Sequence, residues 1–190
     1  MSQSVEDTSA LDSAADDDVA AAKAGDESAF RRLYQATQPG LARYIRVLVG
    51  SDAEDVCSEA WLQACRDLSR FQGGVNDFRA WIARIARNRA IDLLRTQRRR
   101  PLVPIDNAPV DEGVAPSAEE DLLQAISTED AIRLIASLPQ DQAEAVMLRA
   151  VMGLDAPTAG KVLGKRAGAV RTASYRGLRT LAKKVLPEDG

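Results

Sequence analysis

The sequence predicts an all-α protein with two small helical domains joined by a flexible acidic linker. Apolar residues recur at the three- and four-residue spacing of amphipathic helices on both sides of residues 101–127, and no segment alternates as a half-buried strand does. Residues 101–127 have no sustained period, contain proline and glycine, and hold no lysine or arginine. A length of 190 residues is enough for two small cores.

The first 49 residues divide into an acidic tail and two helices. Residues 1–18 are rich in Ser, Asp and Ala and low in hydrophobicity, which predicts disorder. From residue 19 to residue 49, apolar positions at helical spacing predict two amphipathic helices. Pro39-Gly40 marks the expected break between these two helices.

A third helix is expected to end near Ser69, with Ser51 or Asp52 as its N-cap. Its first turns are acidic, which suits the positive end of the helix dipole. Cys57 and Cys65 lie on its apolar side, too far apart along the axis for a disulfide. We expect both to be small buried residues in a reducing cytoplasm.

A glycine-containing loop, Phe71–Asn76, precedes a long fourth helix. Asp77 is placed to cap this helix, which we expect to span Phe78–Arg98. Arginines are interleaved with aromatic and apolar residues along it. This pattern suits single-stranded nucleic acid, because bases stack on rings and phosphates pair with guanidinium groups. The alternative is that the aromatic residues serve only the core.

The C-terminal part contains three further expected helices and a basic fourth. Thr128 or Glu129 opens a helix through Leu138, Pro139 interrupts it, and residues 140–151 form the next helix.

The last two helices have the spacing of a helix-turn-helix. Asp155 caps a short helix that ends at Leu163, Gly164 is its C-terminal glycine, and a basic helix spans Ala167–Val185. Gly160 would allow the second helix a close approach, and the N-terminal residues of that helix could enter a major groove. A purely structural helical hairpin shows the same spacing and stays an alternative. The apolar positions expected in this core are Val162, Leu163, Val170, Leu178 and Leu181.

Charge is segregated along the chain, although the formal net charge is only −3. Residues 66–100 carry ten arginines against three aspartates, and residues 161–184 carry eight basic residues and no acid. Between them, residues 101–130 carry eight acids and no base. Either basic segment alone could be a solvated helix face, but two of this density favour binding to phosphates.

Composition argues against several other classes of protein. The chain has no histidine, so the commonest general base and transition-metal ligand is missing, and two cysteines make a poor zinc site. No phosphate-binding loop, signal peptide or membrane-length apolar run occurs. We therefore expect no catalytic residues, no metal, no cofactor, no membrane insertion and a cytoplasmic protein. An enzyme that uses paired carboxylates is the alternative that remains open. Asp92 is not expected to be such a carboxylate, because it is expected to pair with an arginine.

Four motifs together resemble the extracytoplasmic-function (ECF, group 4) sigma factors of the sigma-70 family. Residues 52–64 and 78–92 read Asp-Ala-Glu-Asp-Val-Cys-Ser-Glu-Ala-Trp-Leu-Gln-Ala and Phe-Arg-Ala-Trp-Ile-Ala-Arg-Ile-Ala-Arg-Asn-Arg-Ala-Ile-Asp, similar to regions 2.2 to 2.4 of that family. Residues 137–149, Ser-Leu-Pro-Gln-Asp-Gln-Ala-Glu-Ala-Val-Met-Leu-Arg, and the helix-turn-helix resemble region 4. The resemblance implies region 2 at 19–100, an acidic linker at 101–127 and region 4 at 128–186.

The resemblance also implies a function and its partners. It implies an alternative sigma factor, not an enzyme, that binds core RNA polymerase, recognises −35 and −10 promoter elements and assists melting. Its partners would be the β′ clamp helices, the β flap, duplex promoter DNA and the melted non-template strand, with an anti-sigma factor as a further candidate. The protein would be cytoplasmic, and nucleoid-associated within the holoenzyme.

The same resemblance assigns roles to particular residues. Those implied to bind core polymerase are Asp52, Asp55 and Glu59. Those implied to bind the −10 element are Gln72, Gly73, Asn76, Arg79, Trp81, Arg84, Arg87 and Asn88. Those implied to bind the −35 element are Lys165, Arg166, Arg171, Arg176 and Arg179. The acidic linker would occupy a basic channel of polymerase as a mimic of nucleic acid.

The chain departs from the family pattern in the helix-turn-helix. Arg166-Ala167-Gly168 stands where the family commonly has Ser or Thr, and residues 157–160 lack its usual acidic and larger apolar residues. The second hypothesis is a polymerase-independent helix-turn-helix regulator. The acidic 52–59 segment and the linker without basic residues favour the sigma factor, because a stand-alone regulator needs neither.

Overall fold

The computed structural model of the chain describes residues 14–99 and 119–185, and these residues contain helices and short connections but no β-strand. The all-α prediction is confirmed. A first helix, α1, includes residues 14–23. The others are α2 (Glu27–Val49), α3 (Ala53–Asp67), α4 (Val75–Arg99), α5 (Glu119–Ala136), α6 (Gln140–Val146), α7 (Ala156–Leu163) and α8 (Ala167–Val185).

Helix α1 corrects the prediction that a disordered tail extends to residue 18. Residues 14–18 are helical, and Val19 in the same helix is only 2% exposed. The Asp18 carboxylate accepts hydrogen bonds from Nε and Nη2 of Arg32 on α2, and these bonds lower the pKa of Asp18. A low-hydrophobicity segment is therefore helical here, because Val19 and Ala22 of the same helix are buried in the apolar core. Residues 1–13 lie outside the described residues.

The break between the first two helices lies at Gly25, so the prediction of a break at Pro39-Gly40 is wrong. Gly25 has a φ of 97°, and Asp26 accepts hydrogen bonds from the backbone N–H groups of Ser28 and Ala29 at 2.8 and 3.0 Å. Pro39 lies inside α2. An interior proline costs about 3 kcal/mol, and burial of the α2 side chains around it offsets that cost. The large buried side chains among them are Leu33, Leu41, Tyr44 and Ile45.

Helix α4 begins at Val75, three residues earlier than predicted, and Asp77 is not its cap. The cap comes from another helix: the Val75 N–H donates to the Asp16 carboxylate of α1 at 2.6 Å. Asp77 instead lies in the first turn, against Gly73. Gly73 has a φ of 128°, and a Cβ atom there would lie 2.7 Å from the Cβ atom of Asp77, so the loop needs glycine at this position.

Aromatic rings join α2, α3 and α4 around Trp61. The Trp61 ring lies 5.9 Å from the ring of Phe30 and 6.1 Å from that of Phe78, and its indole N–H donates to the side chain of Gln38 at 2.6 Å. Offset and edge-on ring pairs of this kind add to simple area burial. Trp61 therefore ties three helices together.

Only one of the two cysteines is buried, so the prediction for Cys65 is wrong. Cys57 is 1% exposed, and burial raises the pKa of its thiol to about 11. Cys65 lies on the exposed side of α3. Both are free thiols.

The expected linker ends earlier than residue 127, because α5 begins at Glu119. Residues 119–127 contain no proline or glycine, which is compatible with a helix. Residues 100–118 lie outside the described residues.

The helix-turn-helix formed by α7 and α8 has the predicted bounds. Asp155 accepts a hydrogen bond from the Thr158 N–H at 2.7 Å, and Gly164 ends α7 with a φ of 66°. A Cβ atom on Gly160 would lie 2.5 Å from the carbonyl oxygen of Lys165, so the close approach predicted there is present. Leu178 was expected in the core, but it is 48% exposed. Gly177 takes the buried position instead and lets α8 lie against Val146 of α6.

The N-terminal helices (α1–α4) and the C-terminal helices (α5–α8) pack on each other. Helix α4 contacts α7, and α2 contacts both α5 and a π-helical turn at Met147–Val151. One continuous set of buried apolar side chains runs through both groups. Gly40 allows one close approach between the two groups, since a Cβ atom there would lie 3.1 Å from the sulfur of Met152.

Replacement of Asp16 by alanine is expected to lower the free energy of unfolding by about 1 kcal/mol, since the Val75 N–H would lose its capping acceptor. Urea denaturation followed by circular dichroism measures this change. Asp17→Ala is the matched control, because Asp17 is an exposed neighbour in the same helix. Equal stability of the two variants would contradict the capping role.

Candidate nucleic-acid and partner surfaces

The acidic residues of α3 and of the turn before it differ in how strongly α4 holds them. Asp52 accepts a hydrogen bond from the Gln97 side chain at 2.9 Å, and Glu59 pairs with Arg89 at 2.5 Å. Asp55 is exposed and forms no ion pair among the described residues. Of the three acids predicted to bind a partner, Asp55 is therefore the one whose carboxylate is available without breaking a contact to α4.

An apolar side chain extends the same surface of α3. Leu62 is 62% exposed and follows Glu59 by three residues, so the two side chains are neighbours on the helix. An exposed leucine beside carboxylates suits a mixed apolar and charged contact with a protein. The sequence pattern did not single out Leu62.

The loop before α4 and the first turn of that helix present polar groups to solvent. Gln72, Gly73 and Asn76 are exposed, and the Asn76 side chain accepts a hydrogen bond from Arg79 at 3.2 Å. Trp81 is half-buried, with its ring 5.0 Å from the ring of Phe71. The ring of Trp81 is thus held by the core and has only part of its surface open for stacking.

Further along α4, Arg84 and Asn88 are both exposed and lie one helical turn apart. Arg84 forms no ion pair within the described part of the chain. The structure brings these two residues together on one side of the helix, where a cation can pair with a phosphate and an amide can reach a base edge. Asp92 pairs with Arg95 at 3.4 Å, in line with the prediction that it pairs with an arginine.

Arg87 lies on a different side of α4 and is already occupied. Its Nε and Nη2 atoms donate to the two oxygens of Glu144 at 2.5 and 3.2 Å. The Tyr44 hydroxyl donates to Glu144 at 2.9 Å, and the Gln140 amide at 3.1 Å. These four side chains form what we call the carboxylate network. It joins α2 and α4 to α6.

The carboxylate network is buried, so its charged and polar groups depend on one another for partners. Glu144 is 2% exposed and Tyr44 is fully buried, while the side chain of Arg87 is 18% exposed. Burial, with the negative charge of Glu144, raises the pKa of the Tyr44 hydroxyl, which therefore remains a neutral donor. The hydrogen bonds to Glu144 raise the pKa of Arg87. The network holds one anion and one cation, each with good hydrogen bonds.

Sequence reasoning did not find Glu144. A signal was present, because Glu144 is the one acid within Ala143–Leu148, a run whose other members are all apolar and buried. A carboxylate at such a position requires a partner. The sequence could not identify that partner, since Arg87 is 57 residues away.

Helix α8 separates a buried side from a basic side. Val170, Ser174 and Gly177 face the other helices. Arg166 at the turn and Arg171, Arg176 and Arg179 on α8 are exposed, and none of the four forms an ion pair within residues 14–99 and 119–185. Lys165 pairs with Asp141 at 2.6 Å. The predicted −35 residues thus form one basic surface, with Lys165 at its edge.

Asp155 caps the N-terminus of α7, the helix before this surface. Hydrogen bonds from Thr158 lower the pKa of the Asp155 carboxylate, which keeps the cap charged. No group of His, Cys, Asp or Glu that could hold a metal ion occurs in the described residues, nor does a helix long and apolar enough to cross a membrane.

Two family models match the chain. The Sigma-70 region 2 model matches residues 33–100, and the Sigma-70 region 4 model matches residues 128–181. Both matches fall where the sequence motifs lie.

Curated relatives extend the likeness over most of the chain. It is 36% identical over 170 residues to the ECF RNA polymerase sigma factor BldN of Streptomyces coelicolor, covering 88% of this chain and 64% of BldN. It is 30% identical over 174 residues to SigD of Mycobacterium tuberculosis, covering 88% of this chain and 82% of SigD. It is 31% identical over 172 residues to the ECF RNA polymerase sigma-E factor of Escherichia coli, covering 86% of this chain and 90% of that protein.

Two solved structures share the fold. CnrH, in complex with the cytosolic domain of CnrY, superposes with a TM-score of 0.63 at 23% identity, over 93% of this chain and 99% of CnrH. The sigma factor RpoE of Bartonella quintana, in complex with the anti-sigma factor NepR, gives a TM-score of 0.62 at 20% identity, over 84% of this chain and 98% of RpoE.

Proposed function

The chain belongs to the extracytoplasmic-function family of RNA polymerase sigma factors, and from this membership we propose which of its surfaces bind polymerase and promoter DNA. Members of the family are non-enzymatic subunits, and this chain is accordingly an alternative sigma factor that directs promoter-specific transcription in the cytoplasm. We assign polymerase binding to α3, −10 binding to the loop with α4, and −35 binding to α8.

The exposed acidic side of α3 is the proposed contact for core polymerase, on the β′ clamp helices. Asp55 would supply an unpaired carboxylate and Leu62 an apolar contact beside it. Asp52 and Glu59 keep their bonds to Gln97 and Arg89, so they would set the position of α3 as well as contribute charge. An exposed carboxylate at an interface raises the rate of association with a basic partner, and a close charge pair also adds to the affinity.

The loop at residues 72–74 and the exposed side of α4 are the proposed −10 surface. Gln72 and Gly73 in the loop and Asn76 in the first turn of α4 are exposed, which leaves this end open to a flipped base. Beyond Arg79 and Trp81, Arg84 and Asn88 continue the surface for the melted non-template strand. A base taken out of the stack exposes its hydrogen-bonding edge, which amide groups can read.

The basic side of α8 is the proposed −35 surface. Arg171, Arg176 and Arg179 point away from the core, and Lys165 and Arg166 stand at the turn before the helix. A bidentate contact from arginine to guanine discriminates by about 1–3 kcal/mol. The other contacts would go to phosphates and set register and salt dependence.

The proposed division of the chain follows these surfaces. Region 2 corresponds to α1–α4 and region 4 to α5–α8, with the acidic linker between them threading towards the active-site cleft of polymerase. Region 4 would rest on the β flap, and the holoenzyme would be associated with the nucleoid. Because RpoE is solved with an anti-sigma factor, a partner of that kind is also proposed here.

Transcription in vitro tests the proposal. Purified protein is added to core RNA polymerase of the source bacterium with its fragmented genomic DNA, and the start sites are sequenced. We expect starts that share paired −35 and −10 sequences and that vanish without the protein. Tight binding of the protein alone to duplex DNA, with no association with polymerase and no start sites, would favour the independent regulator instead.

Charge reversal by Asp55→Lys is expected to weaken binding to core polymerase roughly tenfold, the equivalent of one lost charge contact of about 1.4 kcal/mol. Fluorescence anisotropy of labelled protein against core polymerase measures the affinity. Asp17→Lys is the control, because Asp17 is an exposed acid on α1, outside α3.

The thermal melting midpoint of Asp55→Lys should match that of the native chain, because Asp55 is exposed and forms no ion pair among the described residues. A parallel loss of affinity and stability would mean that Asp55 is structural. Equal affinity of the Asp55 and Asp17 variants for core polymerase would contradict the proposal that α3 contacts polymerase.

A further inference from the structure

We propose that a cavity between α2 and the start of α4 is a binding site for the terminal phosphate groups of a small anion. The cavity has a volume of about 190 Å³, and its charged and hydroxyl side chains are those of Thr37, Arg43 and Arg79. Val151 and Met152 close its far wall. We call it the anion cavity. Neither the acidic side of α3 nor the basic side of α8 contributes to it.

Two arginines and no acid line the anion cavity. Arg79 is half-buried, and its guanidinium donates to the Asn76 side chain at 3.2 Å but forms no ion pair with another described residue. Arg43 is exposed and has neither an ion pair nor a hydrogen bond within the described part of the chain. Other arginines do pair with carboxylates, namely Arg32, Arg46, Arg87, Arg89, Arg95 and Arg133. A partly buried cation without a counter-charge favours the binding of an anion beside it.

The Thr37 hydroxyl is an independent indication of a ligand. Thr37 is only 3% exposed, yet its hydroxyl bonds to no other residue in 14–99 or 119–185. Thr96, Thr172 and Thr180 differ, because each donates to the carbonyl oxygen four residues earlier in its helix. A buried hydroxyl without a partner costs free energy. A ligand oxygen in the cavity that accepts this hydrogen bond would remove the cost.

Phosphate is the chemistry that these three side chains fit. A guanidinium group presents a planar fork of N–H donors that matches two oxygens of a phosphate, and a hydroxyl can donate to a third. A volume of about 190 Å³ equals the share of about six water molecules at about 30 Å³ each, which is room for one or two phosphate groups. Free diphosphate and the end of a nucleotide's phosphate chain share this chemistry.

The depth of Thr37 excludes a phosphate within a DNA strand. Such a phosphate carries an ester link on two sides, so the rest of the strand would have to enter the cavity with it. A terminal phosphate group has at most one link and can reach a hydroxyl that is 97% buried. The anion cavity is therefore distinct from the proposed promoter surfaces, although Arg79 belongs to both.

The shared arginine gives the anion a consequence for the −10 surface. The N–H donors of Arg79 that hold an anion in the cavity cannot also hold a phosphate of the melted strand. A bound anion thus withdraws one cation from that surface. This consequence rests on the function proposed above, whereas the anion cavity itself does not.

Isothermal titration calorimetry of the full chain tests the site, with inorganic diphosphate as the probe and ionic strength held constant with sodium chloride. We expect saturable binding of one diphosphate per chain. A nucleoside diphosphate is the second probe. Tighter binding of the nucleoside diphosphate would assign the cavity to a nucleotide, and equal or weaker binding would assign it to the free anion. Saturable binding of neither probe would overturn the proposal.

Two variants locate the binding in the anion cavity. Arg43→Gln and Thr37→Val are each expected to weaken diphosphate binding roughly tenfold, because each removes a hydrogen bond to a charged group. Thr37→Val changes neither the net charge nor the approximate size of the side chain. Arg31→Gln is the matched control, since Arg31 is exposed on the same helix and does not line this cavity.

The outcomes separate the anion cavity from the proposed function. Both cavity variants should keep the helicity of the native chain, because neither Thr37 nor Arg43 bonds to another described residue. Diphosphate affinity that is unchanged in both cavity variants, or that falls equally in Arg31→Gln, would overturn the proposal. A chain that binds diphosphate but directs no promoter-specific transcription would count against the proposed function alone.

Discussion

The Glu144 carboxylate is the constraint on which the arrangement of the molecule depends. It is the one acidic side chain among the buried residues of the described chain, and it is satisfied only while Tyr44 and Arg87 stand opposite it. An uncompensated buried carboxylate would be strongly destabilising. The position of α6 on α2 and α4 is therefore specified by charge, and apolar packing adds area around that contact.

Other charged side chains of the chain differ in the same respect: some are bonded to a neighbouring helix, and others are exposed without such a bond. Asp52 and Glu59 are held by α4, whereas Asp55 is available on α3. Arg87 is held by Glu144, whereas Arg84 is exposed on the same helix. A family assignment treats such residues as equivalent, but their structural context separates those ready to bind a partner from those that must first be released.

The sequence predicted features whose causes are local. Asp155, Gly164 and the basic helix at Ala167–Val185 lie within one short stretch, and cap, turn and helix were all located correctly. Features with distant causes were missed: α4 begins at Val75 because Asp16 caps it from α1, 59 residues earlier in the chain. The helix break predicted at Pro39 is absent, because tertiary packing overrides the local preference of proline. The partner of Glu144 could not be identified for the same reason.

The distance between the two groups of helices, with and without the Glu144 carboxylate, tests the account most directly. Dyes at Ala20→Cys and Ala182→Cys in the Cys65→Ser chain report it by energy transfer, since both positions are exposed and Cys57 is buried. We expect efficient transfer in the chain that keeps Glu144 and a clear loss of transfer in its Glu144→Gln variant, because Arg87 then loses its charged partner. The same transfer efficiency in both proteins, at equal helicity, would contradict the account.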